Sequence, residues 1–244
     1  MRRIVLTISY DGTSFFGYQI QGSLRTVQKV LEDALFTITG EKIKTTASGR
    51  TDSGVHALGQ VVHFDTNSTI PAGKFKEVLN SVLDKDLRIL KSKQAKSDFH
   101  ARYDAKSKIY KYTIYNGDVE NPLTSRYSAF YPYKIDFSKI EDAIKEIVGT
   151  NDFKCFLASG SQVQNTVRTI EYIKVTKKGK TVTFTIKGNG FLYNMVRIIV
   201  GTLLEVSQGR LTTKNVKDAI NLKDRKLSGK TMPANGLCLY KVYY

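Results

Sequence analysis

The amino-acid sequence predicts an α+β protein built from two halves that share one order of elements. Segments with apolar residues at every second position, typical of strands, alternate with segments of helical apolar spacing. In each half they follow the order strand, helix, strand, strand, helix, which indicates a duplicated α+β architecture. The chain has 244 residues, of which 41% are hydrophobic, so it is long enough to bury a large core.

The first half covers residues 1–105 and opens on an alternating segment that ends in the turn Asp11-Gly12. Apolar residues at helical spacing follow, with Thr26 placed to cap the helix and Gly40 placed to end it. The predicted elements of this half are a strand over 3–9, a helix over 27–38, strands over 42–48 and 60–65, a helix over 74–83 and a strand over 87–93.

The second half covers residues 106–244 and again begins with an alternating strand, here over 108–115. Ser138 with Glu141 three residues later has the pattern of a capping box at the start of a helix that ends before Gly149. The remaining predicted elements are a hairpin over 166–175 and 181–187, an apolar helix over 192–206, a short helix from Thr212 or Thr213 to Leu222, and a closing strand over 236–244.

The composition points to a polyanionic partner. There are 38 Lys and Arg against 22 Asp and Glu, giving a formal net charge of +16, together with 14 Tyr and 12 Phe that could stack on bases. Nucleic acid is therefore the expected partner, although a merely solvated basic surface would have the same composition.

Other protein classes are disfavoured by what the sequence contains. No apolar run approaches the roughly 20 residues of a membrane span, so we expect no membrane association. The two cysteines, Cys155 and Cys238, cannot form a disulfide framework, which favours a reducing, cytoplasmic compartment. Three scattered histidines without ligand spacing make metal chemistry improbable.

The segment GRTDSGVHA, residues 49–57, concentrates backbone freedom and ionisable groups. Its glycines allow positive φ and close approach, and Arg50 could bind a phosphate or keep a carboxylate ionised. Asp52 is then a candidate nucleophile or base. The alternative is ordinary turn chemistry, in which the aspartate side chain caps its own backbone.

Two further positions stand out in the second half. Tyr110 lies on a predicted strand that interleaves cations with aromatic residues, a combination suited to RNA, although a tyrosine pair in a half-buried sheet fits equally well. Arg197 interrupts an apolar helix, where a buried guanidinium is costly unless it pairs with a carboxylate; otherwise its stem could carry the charge to solvent.

Taken together, these motifs resemble the tRNA pseudouridine synthase A family along nearly the whole chain. The resemblance rests on YDGT with the following GYQ, then GRTDSGVHA, FHAR with a downstream tyrosine, GNGFLYNMVR with GTL, and a closing NGL, all in the family's order. The departures are Tyr18 where the family often has Trp, Ser53 where Ala is common, and Met232 where Ala is usual. None removes a group that the reaction needs.

The resemblance implies a pseudouridine synthase fold, in which two related RRM-like or ferredoxin-like halves form one extended, mostly antiparallel sheet. It implies a homodimeric isomerase that needs no cofactor and converts uridine to pseudouridine at positions 38–40 of the tRNA anticodon stem-loop. Matched position by position, Asp52 is the catalytic aspartate, Arg197 the arginine that pairs with it, Tyr110 the active-site tyrosine and Arg50 an RNA-contacting arginine.

Two other functions fit parts of the sequence. A non-catalytic RNA-binding protein with two RRM-like halves explains the charge and the tyrosines, but not a carboxylate in the GRTD loop, and the RNP1 pattern is absent. A nucleotide hydrolase or transferase needs a P-loop or a carboxylate cluster for Mg²⁺, and the sequence has neither.

Overall fold

The computed structural model of the protein describes residues 1–161 and 163–244. They divide into two compact units, one of residues 1–106 together with 238–244 and one of residues 107–237. The described strands are β1 (Arg2–Tyr10), β2 (Thr46–Ala47), β3 (His56–Thr66), β4 (Leu87–Ala95), β5 (Ser107–Tyr115), β6 (Ala129–Phe130), β7 (Gly149–Asp152), β8 (Val167–Lys178), β9 (Thr181–Gly188) and β10 (Leu237–Tyr243). The described α-helices are α1 (Val27–Thr39), α2 (Phe75–Val82), α3 (Phe137–Ile147), α4 (Met195–Ser207) and α5 (Thr213–Leu222), and the α+β class predicted from the sequence is confirmed.

The first unit is a sheet with the strand order β4-β1-β3-β10, with β2 paired to β3. Strands β1, β3 and β4 are antiparallel neighbours, whereas β10 runs parallel to β3 and pairs through Cys238 and Leu239 with His56 and Ala57. The apolar stripes of α1 and α2 are buried, and the ring of Phe75 on α2 packs edge-on against Phe64 of β3 at 5.5 Å. This core anchors the strands on either side of the GRTDSGVHA segment.

The second unit is a sheet with the strand order β5-β9-β8-β7, with the short β6 parallel to β5. The four main strands are antiparallel, and the turn between β8 and β9 contains Gly179 at φ 57°. Helix α4 is buried along almost its whole length and packs against α3, as its nearly continuous apolar sequence requires. Helix α4 therefore forms a large part of the hydrophobic core of this unit.

Several helix boundaries follow the sequence signals. Thr26 caps α1 by accepting a hydrogen bond from Lys29 N at 3.3 Å, and Gly40 ends the helix at φ 72°. Thr212, one of the two predicted caps, forms a capping box with Asn215 at the start of α5. Local sequence is sufficient at these ends because each cap is made by residues within one turn of the helix.

Other boundaries differ from the predictions. The strand predicted over 42–48 is reduced to Thr46–Ala47, because Thr45 N donates to Glu32 Oε1 at 2.8 Å instead of joining the sheet. The capping box predicted at Ser138 is wrong, since Asp136 caps α3 by accepting from Lys139 N. The closing strand, placed by the sequence in the second half at 106–244, lies in the first unit.

No helix among the described residues is long and apolar enough to cross a membrane.

Candidate active site

The loop that carries Asp52 joins β2 to β3 in the first unit. Thr51 is buried, Asp52 is half-buried, and Arg50 is exposed to solvent. The turn is closed by the backbone, because Val55 N donates to the Asp52 carbonyl at 3.1 Å and Gly54 takes φ 77°. The loop therefore presents its aspartate from a fixed backbone.

Residues 10–18, the end of β1 and the segment that follows it, hold this loop from one side. The hydroxyls of Tyr10 and Thr51 are hydrogen-bonded at 2.7 Å in the interior, and Tyr18 N donates to the Thr51 carbonyl at 3.0 Å. Burial raises the pKa of Tyr10 well above its usual value, so its hydroxyl keeps its proton. Gly54 N donates to the Phe15 carbonyl at 3.3 Å. Thr51 and Gly54, on either side of Asp52, are thus bound to the same neighbouring segment.

Two glycines make this close approach possible. A Cβ at Gly12 would lie 2.1 Å from the Val55 carbonyl oxygen, and one at Gly17 would lie 2.9 Å from the Thr51 carbonyl oxygen. Gly17 also takes φ 81°, in the left-handed region that side chains disfavour. The YDGT and GYQ motifs therefore supply backbone that can contact the Asp52 loop directly.

His56 fixes the exit of the loop. Its Nδ1 accepts a hydrogen bond from Gly12 N at 2.9 Å and lies 3.2 Å from Asp11 Oδ1. Asp11 is held in turn by Thr13, whose backbone N and hydroxyl both donate to the same carboxylate oxygen.

Tyr110 lies in β5 of the second unit. Its side chain is buried, and its ring stands edge-on to Phe191 with 5.0 Å between the ring centroids. Phe191 belongs to the GNGFLYNMVR segment, so the aromatic strand position and that segment meet at this contact.

Arg197 lies in the first turn of α4 and is half-buried. Its Nε donates to the Met232 carbonyl at 2.6 Å, and Nη1 donates to Asn194 Oδ1 at 2.6 Å. Both acceptors are neutral, so these bonds fix the direction of the guanidinium without neutralising its charge. Asn194 takes φ 60° immediately before the helix, which begins at Met195 rather than at 192 as predicted.

The 230–233 segment, which accepts the hydrogen bond from Arg197, is fixed by further contacts. Tyr112 donates its hydroxyl to the Pro233 carbonyl at 2.8 Å, and burial raises the pKa of Tyr112 while the charge of Arg197 lowers it. A Cβ at Gly201 would lie 1.9 Å from the Lys230 carbonyl oxygen, so α4 and this segment are in direct backbone contact. The position of Arg197 is therefore set by α4, which carries it, and by the 230–233 segment, which packs against that helix.

The predicted site residues are divided between the units. Asp52 and Arg50 belong to the first unit, whereas Tyr110 and Arg197 belong to the second. Within the second unit, the 191–194 segment links the two residues, since Phe191 contacts Tyr110 and Asn194 binds Arg197.

The sequence reasoning missed three supporting side chains of the site: Tyr10, His56 and Asn194. His56 is one of the three histidines that show no ligand spacing in the sequence, and the bond it makes joins residues 44 positions apart. Asn194 could have been suspected from its place before a helix, because asparagine tolerates positive φ better than most residues.

Comparison with known proteins places the chain in one family. A sequence model of the family described as tRNA pseudouridine synthase matches residues 6–104 and 143–244. The chain is 45% identical to tRNA pseudouridine synthase A of Acetivibrio thermocellus over 244 residues, covering 100% of both chains. It is 47% identical to tRNA pseudouridine synthase A of Lacticaseibacillus casei over 247 residues, again covering 100% of both.

Solved structures show a more distant likeness. The chain aligns with a crystal structure of the archaeal box H/ACA sRNP Nop10–Cbf5 complex at a TM-score of 0.39 and 13% sequence identity. The alignment covers 96% of this chain and 46% of that chain, so the present chain spans about half the length of that protein. The assignment rests instead on the family model and on the full-length relatives. This chain belongs to the tRNA pseudouridine synthase family.

Proposed function

We propose that this protein isomerises uridine to pseudouridine at positions 38–40 of the tRNA anticodon stem-loop. The observation that carries the proposal is a carboxylate, Asp52, on a loop that the 10–18 segment binds at both ends, in a chain that matches tRNA pseudouridine synthase A relatives along its full length. Enzyme sites hold reacting groups in this way because small displacements of a reacting group are costly in rate.

The reaction moves one glycosidic bond. The bond between uracil N1 and ribose C1′ breaks, the base turns while it stays bound, and C5 bonds to C1′. N1 gains a proton and C5 loses one, so the reaction consumes no redox equivalent. Asp52 acts either as a nucleophile at C1′ or C6 or as the base that starts a glycal route.

Arg197 serves Asp52 in this proposal by pairing with it. A paired guanidinium favours the ionised carboxylate and fixes its direction. The hydrogen bonds of Arg197 to Met232 and Asn194 support this role, because they aim the charge without quenching it.

The target uridine must leave its stack at a cost of a few kcal/mol, and the enzyme must offer a surface in return. Tyr110, backed by Phe191, offers an aromatic face, while the exposed Arg50 at the entrance of the loop contacts the RNA. The net charge of +16 supplies attraction to the folded tRNA that depends little on sequence. We further propose that the enzyme works in the cytoplasm, as a homodimer and without a cofactor.

The test uses unmodified tRNA with tritium at uridine C5, incubated with wild-type protein, Asp52→Ala, Asp52→Asn, or the exposed control Asp118→Ala. We expect the wild type and the control to release tritium into water and both Asp52 variants to release none while still binding tRNA. Binding without release by the wild type, across several tRNAs, would instead favour a non-catalytic RNA-binding protein.

A further inference from the structure

Arg168, the second residue of β8, carries a half-buried charge that none of the described acids balances. No described carboxylate lies within ion-pair distance of it, whereas the neighbouring Lys187 pairs with Glu171 at 2.6 Å. Burial lowers the pKa of Arg168. Partial burial of an unpaired guanidinium is unfavourable, and binding of an anion from outside the chain would stabilise it.

The guanidinium is held in place by backbone groups. Nη1 donates to the carbonyls of Asn165 at 3.0 Å and Val167 at 2.6 Å. Arginine has five N–H donors, and in the described part of the chain those on Nε and Nη2 have no acceptor. These two nitrogens form the edge that binds an anion with two parallel hydrogen bonds.

A glycine keeps this edge clear. A Cβ at Gly190 would lie 3.3 Å from Arg168 Nε, closer than most side-chain contacts. The neighbouring Asn189 is tied to β8, because its N donates to the Thr169 carbonyl at 3.1 Å and its Oδ1 accepts from Thr169 N at 2.9 Å. The GNG part of the GNGFLYNMVR motif therefore packs against the start of β8, beside Arg168.

Strand register places Arg168 on the same sheet face and at the same end as Tyr110. Tyr110 pairs with Ile186 of β9, and two residues further out Gly188 pairs with both Lys108 and Ile170. Arg168 lies two residues beyond Ile170, so it shares that face. With strands about 4.8 Å apart and about 3.3 Å per residue, the Cα atoms of Tyr110 and Arg168 are roughly 16 Å apart.

We propose that Arg168 binds a backbone phosphate of the RNA strand that flanks the nucleotide held at Tyr110. This inference rests on the proposed function, because it takes the RNA to lie against Tyr110. The separation of roughly 16 Å between the two Cα atoms suits a phosphate further along the strand than that of the reacting nucleotide. Phosphate is the anion expected, since a planar guanidinium edge matches two of its oxygens.

The first test compares Arg168→Gln with the matched control Arg210→Gln, which removes an equal charge from an exposed arginine paired with Glu205. Affinity for an anticodon stem-loop RNA is measured across a salt series. We expect Arg168→Gln to weaken binding about tenfold at low salt and to reduce the slope of log K against log salt by about 1, with little change in the control. Arg168→Lys should keep the slope but lose part of the affinity.

A second test changes the RNA instead of the protein and begins with the wild type. Methylphosphonate groups, which carry no charge, are placed one at a time along the stem-loop RNA and binding by the wild type is measured. We expect one flanking position to weaken wild-type binding about tenfold and to leave Arg168→Gln unaffected.

The outcomes separate this inference from the proposed function. If the wild type releases tritium from tRNA but Arg168→Gln binds like the Arg210→Gln control, Arg168 only holds the 165–167 backbone and the inference is overturned. The same conclusion follows if the wild type binds every methylphosphonate RNA equally well. If the wild type neither binds tRNA nor releases tritium, the proposed function itself fails.

Discussion

Replacing Gly201 with alanine tests whether α4 positions Arg197 through backbone contact with the 229–232 segment. The new Cβ would lie 1.9 Å from the Lys230 carbonyl oxygen, where real contacts are at least 3.0 Å, so the segment must retreat by about 1.1 Å. That shift breaks the bond from Gly229 N to Thr202 Oγ1, now 2.8 Å, and lengthens the 2.6 Å bond from Arg197 Nε to the Met232 carbonyl.

The effects on stability oppose one another and the unfavourable ones dominate. Overpacking costs about 1–3 kcal/mol, and the lost hydrogen bond costs about 1 kcal/mol. Replacing glycine with alanine in a helix interior stabilises the helix by about 1 kcal/mol. We expect Gly201→Ala to lower the free energy of unfolding by about 2 kcal/mol.

The measurement is urea unfolding of Gly201→Ala beside Gly73→Ala, a control site where a Cβ would meet nothing within 4 Å. The control should change stability by less than about 1 kcal/mol. Single-turnover tritium release by Gly201→Ala, below its unfolding transition, should slow at least about tenfold because Arg197 is displaced. A variant as stable and as fast as the wild type would refute the positioning of Arg197 by this contact.

Two further substitutions test the site, and a third tests His63, a buried residue of β3 outside it. Asn194→Gly keeps the positive φ but removes the acceptor from Arg197, so kcat should fall about tenfold. The relief of backbone strain at φ 60° offsets the lost bond, so thermal stability should change little; an unchanged kcat would contradict the role of this bond. Burial, reinforced by nearby positive charge, lowers the pKa of His63 to about 4, below the roughly 6.5 of an unfolded chain. The unfolded chain therefore gains a proton first, so stability falls as pH drops from about 6.5 towards 4, by about 1–2 kcal/mol at pH 5. Urea titrations at pH 7.5 and pH 5 should show a smaller loss for His63→Asn, and an equal loss would assign the effect to other groups. Tyr10→Phe leaves the buried hydroxyl of Thr51 without its partner, and should cost about 1–2 kcal/mol in urea unfolding and slow tritium release; no change in either would mean that this bond does not hold the loop.

Sequence alone predicted the elements whose signals are local. The helix from Val27 to Thr39 carries its cap at Thr26 and its stop at Gly40, and the β8–β9 hairpin carries its alternation and its turn. The family was also predictable, because its motifs occur in order along the chain and the family model matches residues 6–104 and 143–244.

The supports of the site were not predictable, because they join distant residues. Gly12 and His56 are 44 positions apart, and Arg197 reaches the carbonyl of Met232 across 35 positions. A backbone carbonyl has no sequence signature, so no pattern could name Met232 as an acceptor. The pairing of Asp52 with Arg197 stays a prediction.

The parallel pairing of β10 with β3 has a consequence for the order of events during synthesis on the ribosome. Cys238 and Leu239 pair with His56 and Ala57, directly after the Asp52 loop, and Gly59 lets the backbone of Tyr240 approach. Residues 107–237, more than half of the chain, are translated before Cys238 and Leu239. Until then the edge of β3 at His56 and Ala57 lacks its β10 partner. A nascent chain therefore cannot complete the support at the exit of the Asp52 loop before translation has passed residue 239.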